Sequence, residues 1–304
     1  MSITLRSPDE SFALPEAFAP LVGTGDCAVA QFYDDCVYDK GKGYHTFKIT
    51  TKDRAFVLKQ YAELEDLEAE CRQYALLEGL PVPRLLGRAE KCILMEFVEG
   101  DDLKIASEAG VRALAKSLAA IMNAYPMGRG YAGERYERYL KRLERRALCL
   151  ADEPLLQKAF ALFYERQREI PLTLSNGDLL PINVLFDGES AHIIDWEFGG
   201  FLPYALDLAR FIAHFRAQGE VSSFRLPDEG KALFLDLTYD ALAVKPAREV
   251  FDRDLRLAVF NEYVEILEYY FNDKSAERGA VFADYYPRAL ALAESLRGEE
   301  GQAV

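Results

Sequence analysis

Hydrophobic and polar positions alternate along two stretches near the amino terminus. These stretches run from Tyr44 to Thr50 and from Arg54 to Tyr61. Alternation with a period of two residues predicts strands, and the polar Thr51-Lys52-Asp53 between them is typical of a turn. We therefore expect a β-hairpin whose second strand carries Val57, Lys59 and Tyr61 on one face.

Apolar residues recur at helical spacing over most of the rest of the chain. The helices predicted from this pattern cover residues 63–78, 111–124, 135–168, 205–215, 231–242, 251–271 and 276–297. Lys91 to Gly100 is instead typical of a buried strand followed by a break. Strands early in the chain and helices later predict the α+β fold class.

The predicted helix 251–271 carries an apolar stripe and an acidic one. The apolar stripe consists of Phe260, Tyr263, Val264, Leu267 and Phe271. Core packing explains it more simply than a cation-binding aromatic box. Glu262, Glu265 and Glu268 lie off this stripe, and a solvated face is their simplest interpretation.

The length and hydrophobicity of the chain suit a folded enzyme. Its 304 residues, 50% of them hydrophobic, can bury a substantial core in one large or two small domains. The longest uncharged run, from Ser117 to Gly128, is shorter than the ~18 apolar residues of a membrane span, so no transmembrane helix is expected. Arg6, Asp9 and Glu10 interrupt the apolar core that a signal peptide would need, so we expect a cytoplasmic protein.

The net charge of -14 argues against nucleic acid as a partner, because phosphate backbones require a basic footprint. It is compatible with a cationic small-molecule substrate, and residues 226–304 carry half of the excess negative charge. Excess acid is also an ordinary route to solubility. The 5 cysteines form no CxxC pair and the chain has only 3 histidines, so neither a disulfide framework nor a zinc site is predicted. Any bound metal should have oxygen ligands.

Three polar residues between Ser175 and Glu197 have the spacing that a phosphoryl-transfer site needs. Asp178 is followed five residues later by Asn183, on a loop that leads into the apolar strand 184–186. An aspartate there can accept the proton of a hydroxyl, and an asparagine can bind magnesium through a neutral oxygen. Caps and turns use the same residue types, so this spacing alone is not specific.

A second hairpin is predicted to bring Asp195 close to Asn183. Asp187-Gly188 is a two-residue turn signal, and a strand over residues 191–194 would return along residues 184–186. Asp195 follows that strand. It would share magnesium ions with Asn183, while Asp178 stays free to face a substrate hydroxyl.

The motif resembles that of the aminoglycoside phosphotransferase and choline kinase superfamily. The matching segments are Asn176-Gly177-Asp178, Asn183, Ile194-Asp195-Trp196-Glu197 and the run from Pro203 to Ala209. One departure is that Asn176 stands where the family has a histidine that braces the catalytic loop. An asparagine can also donate and accept hydrogen bonds.

The resemblance implies a two-lobed, protein-kinase-like fold. Its small antiparallel-sheet lobe would span residues 1–97 and its larger, mostly helical lobe residues 98–304. It also implies transfer of the γ-phosphoryl group of ATP, bound with Mg²⁺, to a hydroxyl of a small molecule. Asp178, Asn183 and Asp195 would be the catalytic residues, with Asn183 and Asp195 as the metal ligands. Glu197 is a secondary candidate near the nucleotide and substrate.

Further residues are implied to bind ATP. Lys59 would neutralise the α- and β-phosphates, although a solvent-facing strand lysine is the plain alternative. Its partner on the following helix would be Glu70, chosen over Glu65, Glu68 and Glu78 by its distance from the Pro-Val-Pro ending. The remaining nucleotide contacts would be the phosphate loop around Gly41 and Gly43, which is equally compatible with a simple turn, and the backbone of Glu96 and Val98 at the purine.

Several features separate the chain from a protein kinase. The segment between Asp178 and Asp195 is too short for an activation segment, Trp-Glu follows Asp195 in place of Phe-Gly, and no Ala-Pro-Glu appears later. A small-molecule kinase is the better interpretation, with choline, a sugar, homoserine, 5-methylthioribose or an aminoglycoside among the possible acceptors. Asn176 keeps open a nucleotide-binding pseudokinase or regulatory module without transfer activity. No stripe on the chain predicts an oligomeric state.

Overall fold

The computed structural model describes residues 3–8, 12–23, 26–34, 44–217, 219, 222–273 and 276–300. The chain forms two compact units, Met1–Glu99 and Gly100–Val304. The assignment of the two predicted lobes to residues 1–97 and 98–304 stays a prediction. As the α+β prediction requires, a sheet dominates the first unit and helices dominate the second.

The amino-terminal unit is built on an antiparallel sheet. Its described strands are β1 (Ile3–Arg6), β2 (Ala28–Asp34), β3 (Tyr44–Thr50), β4 (Ala55–Tyr61), β5 (Leu85–Ala89) and β6 (Cys92–Glu96). They lie in the order β1-β2-β3-β4-β6-β5, and each neighbouring pair is antiparallel. Helix α1 (Ala19–Val22) precedes β2, and α2 (Leu64–Leu76) follows β4.

The hairpin of β3 and β4 sorts its side chains by face. Thr50 lies opposite Ala55, so the second strand begins one residue later than the predicted start at Arg54. Phe56 and Leu58 lie in a hydrophobic core shared with β3, β6 and α1. Because successive residues of a strand point to opposite sides, Lys59 lies on the other face of the sheet.

The carboxy-terminal unit combines short strands with long helices. Its described strands are β7 (Asp101–Asp102), β8 (Leu172–Ser175), β9 (Val184–Phe186), β10 (Ala191–Ile193) and β11 (Gly200–Pro203). Its described helices are α3 (Glu108–Ala124), α4 (Glu134–Cys149), α5 (Pro154–Gln167), α6 (Ala205–Ala213), α7 (Asp228–Ala241), α8 (Arg248–Asn272) and α9 (Ala280–Glu300). β9 pairs with both β10 and β7, and β11 pairs with β8.

One hydrophobic core of this unit lies among α4, α5, α8 and α9. Phe260, Val264 and Leu267 of α8 are fully buried in it, and Tyr263 and Phe271 pack against it. The apolar stripe predicted on this helix is therefore core packing. In the described part of the chain, no helix is both long and apolar enough to cross a bilayer.

The charged region predicted as helical over residues 135–168 is two helices, α4 and α5. Pro154 occupies the first turn of α5. Proline lacks the amide hydrogen that a helix interior needs, but suits a first turn. The first helix therefore ends before Pro154, and a second helix begins at this residue.

Candidate active site

The β9–β10 hairpin places Asp195 next to Asn183 along the sheet. Ile193 lies opposite Val184, and the amide of Ile194 donates to the carbonyl of Asn183 at 2.9 Å. Asp195 follows directly. The turn is one residue later than predicted, because the amide of Asp187 donates to the carbonyl of Ser190 at 3.2 Å and leaves residues 188 and 189 at the tip.

Asn183 and Asp178 are in direct contact. The Asn183 side-chain amide Nδ2 donates to the Asp178 carbonyl at 2.8 Å and to its carboxylate Oδ2 at 3.3 Å. Because its nitrogen is turned toward Asp178, the amide oxygen of Asn183 is the atom left to act as a metal ligand. The structure thus brings the two residues of the predicted Asp-x4-Asn spacing together.

Asp195 has a backbone conformation that is rare for a residue with a side chain. Its φ is +56°. Aspartate tolerates this left-handed region better than most residues, and such outliers cluster at functional sites. The next residue, Trp196, is fully buried, and its indole Nε1 donates to the carbonyl of Ile193 at 3.0 Å.

Asn176 ties the loop of Asp178 to the segment of Asp195. It is fully buried. Its side-chain Nδ2 donates to the carbonyls of Asp195 at 2.9 Å and Ile194 at 3.2 Å, and its Oδ1 accepts from the amide of Asp178 at 3.2 Å. Asn176 therefore makes a brace of the kind that the resemblance ascribes to the family histidine.

Asp207 anchors the same loop from helix α6. Its carboxylate accepts hydrogen bonds from the amides of Asn176 at 2.7 Å and Gly177 at 2.9 Å, and burial raises its pKa. The sequence prediction did not include Asp207 among the site residues. The available signal was the resemblance of residues 203–209 to a family segment.

Arg135 of α4 fixes the chain that follows Asp195. Its guanidinium donates to the carbonyls of Glu197 at 2.7 Å and Phe198 at 3.0 Å. Gly200 has a φ of +154°, and a β-carbon there would lie 2.7 Å from Cγ of Arg135. Glycine at this position therefore leaves room for the arginine stem. The Glu197 side chain is exposed.

The same segment approaches the loop of Asp178 closely. Gly177 has a φ of +77°, and a β-carbon on it would collide with the carbonyl oxygen of Phe198. Glycine is therefore required between Asn176 and Asp178 for both conformation and space.

Arg210 of α6 holds the Asp178 carboxylate. Its Nε and Nη2 donate to the same oxygen, Oδ1 of Asp178, at 3.0 and 2.8 Å. Burial raises the pKa of Asp178 to about 6, while the charge and hydrogen bonds of Arg210 act in the opposite direction. Sequence reasoning missed Arg210 as a neighbour of Asp178.

Glu262, Glu265 and Glu268 are not a solvated face, so the sequence interpretation of these residues was wrong. Arg210 Nη1 donates to Glu262 at 2.7 Å and Glu265 at 3.3 Å. Arg146 of α4 lies 2.8 Å from both Glu265 and Glu268. Charged residues on a helix are expected to be exposed only when no buried group pairs with them. Here Arg146 and Arg210 are such partners.

In the amino-terminal unit, Lys59 and Glu70 form a buried ion pair. Lys59 Nζ lies 2.9 Å from Glu70 Oε1, and the hydroxyl of Tyr61 donates to Glu70 Oε2. Lys59 and Tyr61 share the strand face expected from alternation. The contact between Lys59 and Glu70 is the one that the resemblance implies, and both side chains are buried.

The other predicted nucleotide contacts are the backbone of Glu96 and Val98 and the loop of Gly41 and Gly43. The amide of Glu96 donates to the carbonyl of Arg84 at 2.9 Å, so a purine contact through Glu96 would use its carbonyl. Val98 follows β6 outside regular structure. Gly41 and Gly43 lie outside the described residues.

The donor atoms near Asp195 fit magnesium better than zinc. Among the described residues, no group of three or more His, Cys, Asp or Glu side chains is placed to hold a metal. Protein-bound Mg²⁺ commonly takes only one or two carboxylates and completes its shell with phosphates and water. The Asn183 amide oxygen and the Asp195 carboxylate match that requirement.

Known proteins resemble this chain in sequence pattern and in fold. The sequence profile described as "Phosphotransferase enzyme family" matches residues 39–232. No curated protein matches the chain significantly in sequence.

Solved structures with a similar fold include three kinases of small molecules. A choline kinase from Streptococcus pneumoniae is 17% identical with a TM-score of 0.60, and the match covers 92% of this chain and 97% of that one. An ethanolamine kinase from Plasmodium vivax is 14% identical with a TM-score of 0.57, covering 88% and 82%. An ADP-bound aminoglycoside phosphotransferase is 12% identical with a TM-score of 0.56, covering 92% and 97%. This chain therefore has the two-lobed kinase-like fold of these enzymes.

Proposed function

The chain belongs to the phosphotransferase enzyme family, and from this premise we propose that it transfers the γ-phosphoryl group of ATP to a hydroxyl of a small molecule. The observation that carries the proposal is the contact of Asn183 with Asp178, together with the hairpin that sets Asp195 beside Asn183. One proton acceptor and two oxygen ligands then come from a single braced loop and hairpin.

Asp178 is the proposed proton acceptor. Its Oδ2 takes the proton of the acceptor hydroxyl while the hydroxyl oxygen forms a bond to the γ-phosphorus. The bond from the γ-phosphorus to the bridging oxygen of ATP breaks, and its electron pair leaves with ADP. Positioning and charge stabilisation account for most of the acceleration in such a loose transition state.

Asn183 and Asp195 are the proposed magnesium ligands. Bound Mg²⁺ would neutralise negative charge on the phosphates. Asn176, Asp207 and Arg135 hold the backbone on which these ligands sit. The hydrogen bonds of Asn176 support an active enzyme, because its side chain fastens the loop in the way proposed for the family histidine.

Lys59, kept in place by Glu70 and Tyr61, is the proposed contact of the α- and β-phosphates. The backbone carbonyl of Glu96 and the backbone of Val98 are proposed to bind the purine. Two points stay predictions. One is that the loop of Gly41 and Gly43 covers the phosphates, and the other is that Glu197 lies near the nucleotide and the substrate.

The acceptor is proposed to be an alcohol, and similar folds suggest which alcohols to try. The structurally similar proteins are named for choline, ethanolamine and aminoglycosides, all of which carry nitrogen. The acidic excess of residues 226–304 is compatible with a cationic acceptor. Arginines pair with the glutamates of α8, however, so these acids favour a cation less than composition suggests.

An ADP-release assay tests the proposal. Purified protein with Mg-ATP would be offered choline, ethanolamine, homoserine, 5-methylthioribose, hexoses and aminoglycosides in turn. We expect one class to raise ADP release above the rate with water, and Asp178→Ala to abolish the increase while Mg-ADP still binds in calorimetry. Asp236→Ala is the matched control, since Asp236 forms an exposed pair with Arg248 at 2.7 Å. Equal turnover by Asp178→Ala would refute the assignment.

A further inference from the structure

Arg210 joins the Asp178 loop to helix α8. Its side chain is 17% exposed. On one side it donates twice to Oδ1 of Asp178, and on the other its Nη1 donates to Glu262 and Glu265. One guanidinium therefore bridges a loop carboxylate and two helix carboxylates that are distant in sequence.

The two bonds to one oxygen distinguish the two oxygens of Asp178. Arginine commonly binds carboxylates with two parallel bonds, one to each oxygen. Here both bonds go to Oδ1, so that oxygen is occupied, while among the described residues Oδ2 receives only the longer 3.3 Å contact from Asn183. The arrangement fixes the rotation of the carboxylate and leaves Oδ2 as the less engaged of its two oxygens.

The contacts of Arg210 with Glu262 and Glu265 are also held in place by further ion pairs and hydrogen bonds. The Glu262 side chain is 1% exposed and also lies 3.4 Å from His214 Nε2, whose Nδ1 is 2.8 Å from the Tyr285 hydroxyl. Arg146, with its side chain 2% exposed, pairs with Glu265 and so limits the excess of negative charge. A side chain restrained on both sides cannot swing away without breaking buried ion pairs.

We propose that Arg210 is a positioning residue for phosphoryl transfer, held by Glu262 and Glu265 so that Oδ2 of Asp178 is the oxygen that receives the acceptor proton. The proposal rests on the proposed function. It assigns to α8 a role in aligning the proton acceptor.

The test compares Arg210→Ala with Arg210→Lys. ADP release from Mg-ATP is measured with water as acceptor and with the best acceptor of the panel above. We expect Arg210→Ala to lower kcat by about 100-fold, the size of effect that a misplaced reacting group produces, with the KM values for Mg-ATP and acceptor nearly unchanged. Arg210→Lys keeps the charge but not the paired donors, so its kcat should lie between those of wild type and Arg210→Ala.

Chemical rescue separates positioning from general damage. Guanidinium chloride at tens of millimolar should restore part of the kcat of Arg210→Ala, because the cation can occupy the site among Asp178, Glu262 and Glu265. Sodium chloride at equal ionic strength should not. A crystal structure of Arg210→Ala should show the Asp178 carboxylate turned from its place beside Asn183.

Arg166 offers a matched control. It donates to the two carboxylate oxygens of Asp254 at 2.6 and 2.8 Å. Asp254 is buried and, like Glu262 and Glu265, lies on α8. Arg166→Ala should lower Tm as Arg210→Ala does, yet keep its kcat and show no response to guanidinium. If Arg210→Ala proves unstable because buried Glu262 loses its arginine partner, Arg210→Met combined with Glu262→Gln removes that charge and should show the same loss of kcat.

Wild-type kcat in a folded Arg210 variant, or an unmoved Asp178 in its crystal structure, would overturn the inference. Failure of rescue by guanidinium would do so as well. These results differ from failure of the proposed function, in which Asp178→Ala itself would keep full turnover.

Discussion

The side-chain amide of Asn176 donates to the backbone carbonyl of Asp195 at 2.9 Å, so one buried side chain connects the loop of the proposed base to the proposed metal ligand. Asn176→Asp keeps the size but removes the donor, and sets a carboxylate against two carbonyl oxygens. We expect the free energy of unfolding to fall by about 1–3 kcal/mol and kcat to fall with it. Urea unfolding and ADP release measure the two effects.

Asn123→Asp is the corresponding control. Asn123 also donates to a carbonyl, that of Ala241 at 2.9 Å, and accepts from the amide of Ala243. Its substitution should lower stability without changing kcat per folded molecule. A loss of kcat as large as that of Asn176→Asp would mean that Asn176 acts through stability alone.

Glu70→Gln should weaken nucleotide binding. The substitution keeps a hydrogen-bonding partner for Tyr61 but removes the negative charge that holds Lys59. We expect the Kd for Mg-ADP to rise about 10-fold, which corresponds to the ~1.4 kcal/mol lost when a buried charge pair is broken and partly replaced. Calorimetry with Mg-ADP measures it. Glu68→Gln on the same helix breaks only an exposed pair with Arg88 and should leave Kd unchanged.

Trp196 offers an optical test of the proposed metal site. It is the single tryptophan of the chain and follows Asp195 directly. Binding of Mg-ADP should change its fluorescence, and chelation of Mg²⁺ with EDTA should reverse the change. Asp195→Asn should remove the response, whereas Asp178→Ala should retain it. A response of equal size without Mg²⁺ would contradict the assignment of Asp195 as a metal ligand.

Acid should weaken the α8 ion pairs. Burial alone would raise the pKa of Glu265, but the charges of Arg146 and Arg210 lower it to about 2 from an ordinary value of 4.5. A carboxylate with a lowered pKa stabilises the fold above the unfolded value, and this contribution is lost as the pH falls from about 4.5 toward 2. The stability difference between wild type and Glu265→Gln should therefore shrink over this range in urea unfolding.

Glu249→Gln is the control for losing an exposed acid on the same helix. Glu249 lies in the exposed first turn of α8. The stability difference of Glu265→Gln should exceed that of Glu249→Gln at neutral pH. Equal differences at every pH would contradict the importance of the buried pairs.

Local patterns in the sequence predicted much of this structure. Alternation identified the β3–β4 hairpin and the face of Lys59, and turn residues identified the β9–β10 hairpin that returns Asp195 to Asn183. These features depend on neighbours within a few residues. The turn at Asp187 still differed by one position, because the aspartate opens it by accepting from the amides of Glu189 and Ser190 at 2.8 and 2.7 Å.

The arginine contacts could not be predicted in the same way. Arg210 meets Asp178, Glu262 and Glu265 only after α6 and α8 have packed together, and nothing near Arg210 in sequence specifies those partners. The prediction for the glutamates of α8 followed the common rule that helix charges face water. That rule fails when an arginine is buried beside them. The packing of α8 against α4 and α6 determines that these glutamates pair with arginines instead of facing water.

Gly200 and Arg135 pass each other so closely that each position limits the space at the other. The stem of Arg135 occupies the space where a side chain at 200 would begin, while its guanidinium fastens the carbonyls of Glu197 and Phe198. During divergence, a shorter residue at 135 would widen the space beside residue 200, but a side chain there would still be strained because the φ of Gly200 is +154°. Homologues that keep this backbone conformation should therefore keep glycine at 200 even where residue 135 changes, and a change at 135 would need a new donor for the two carbonyls.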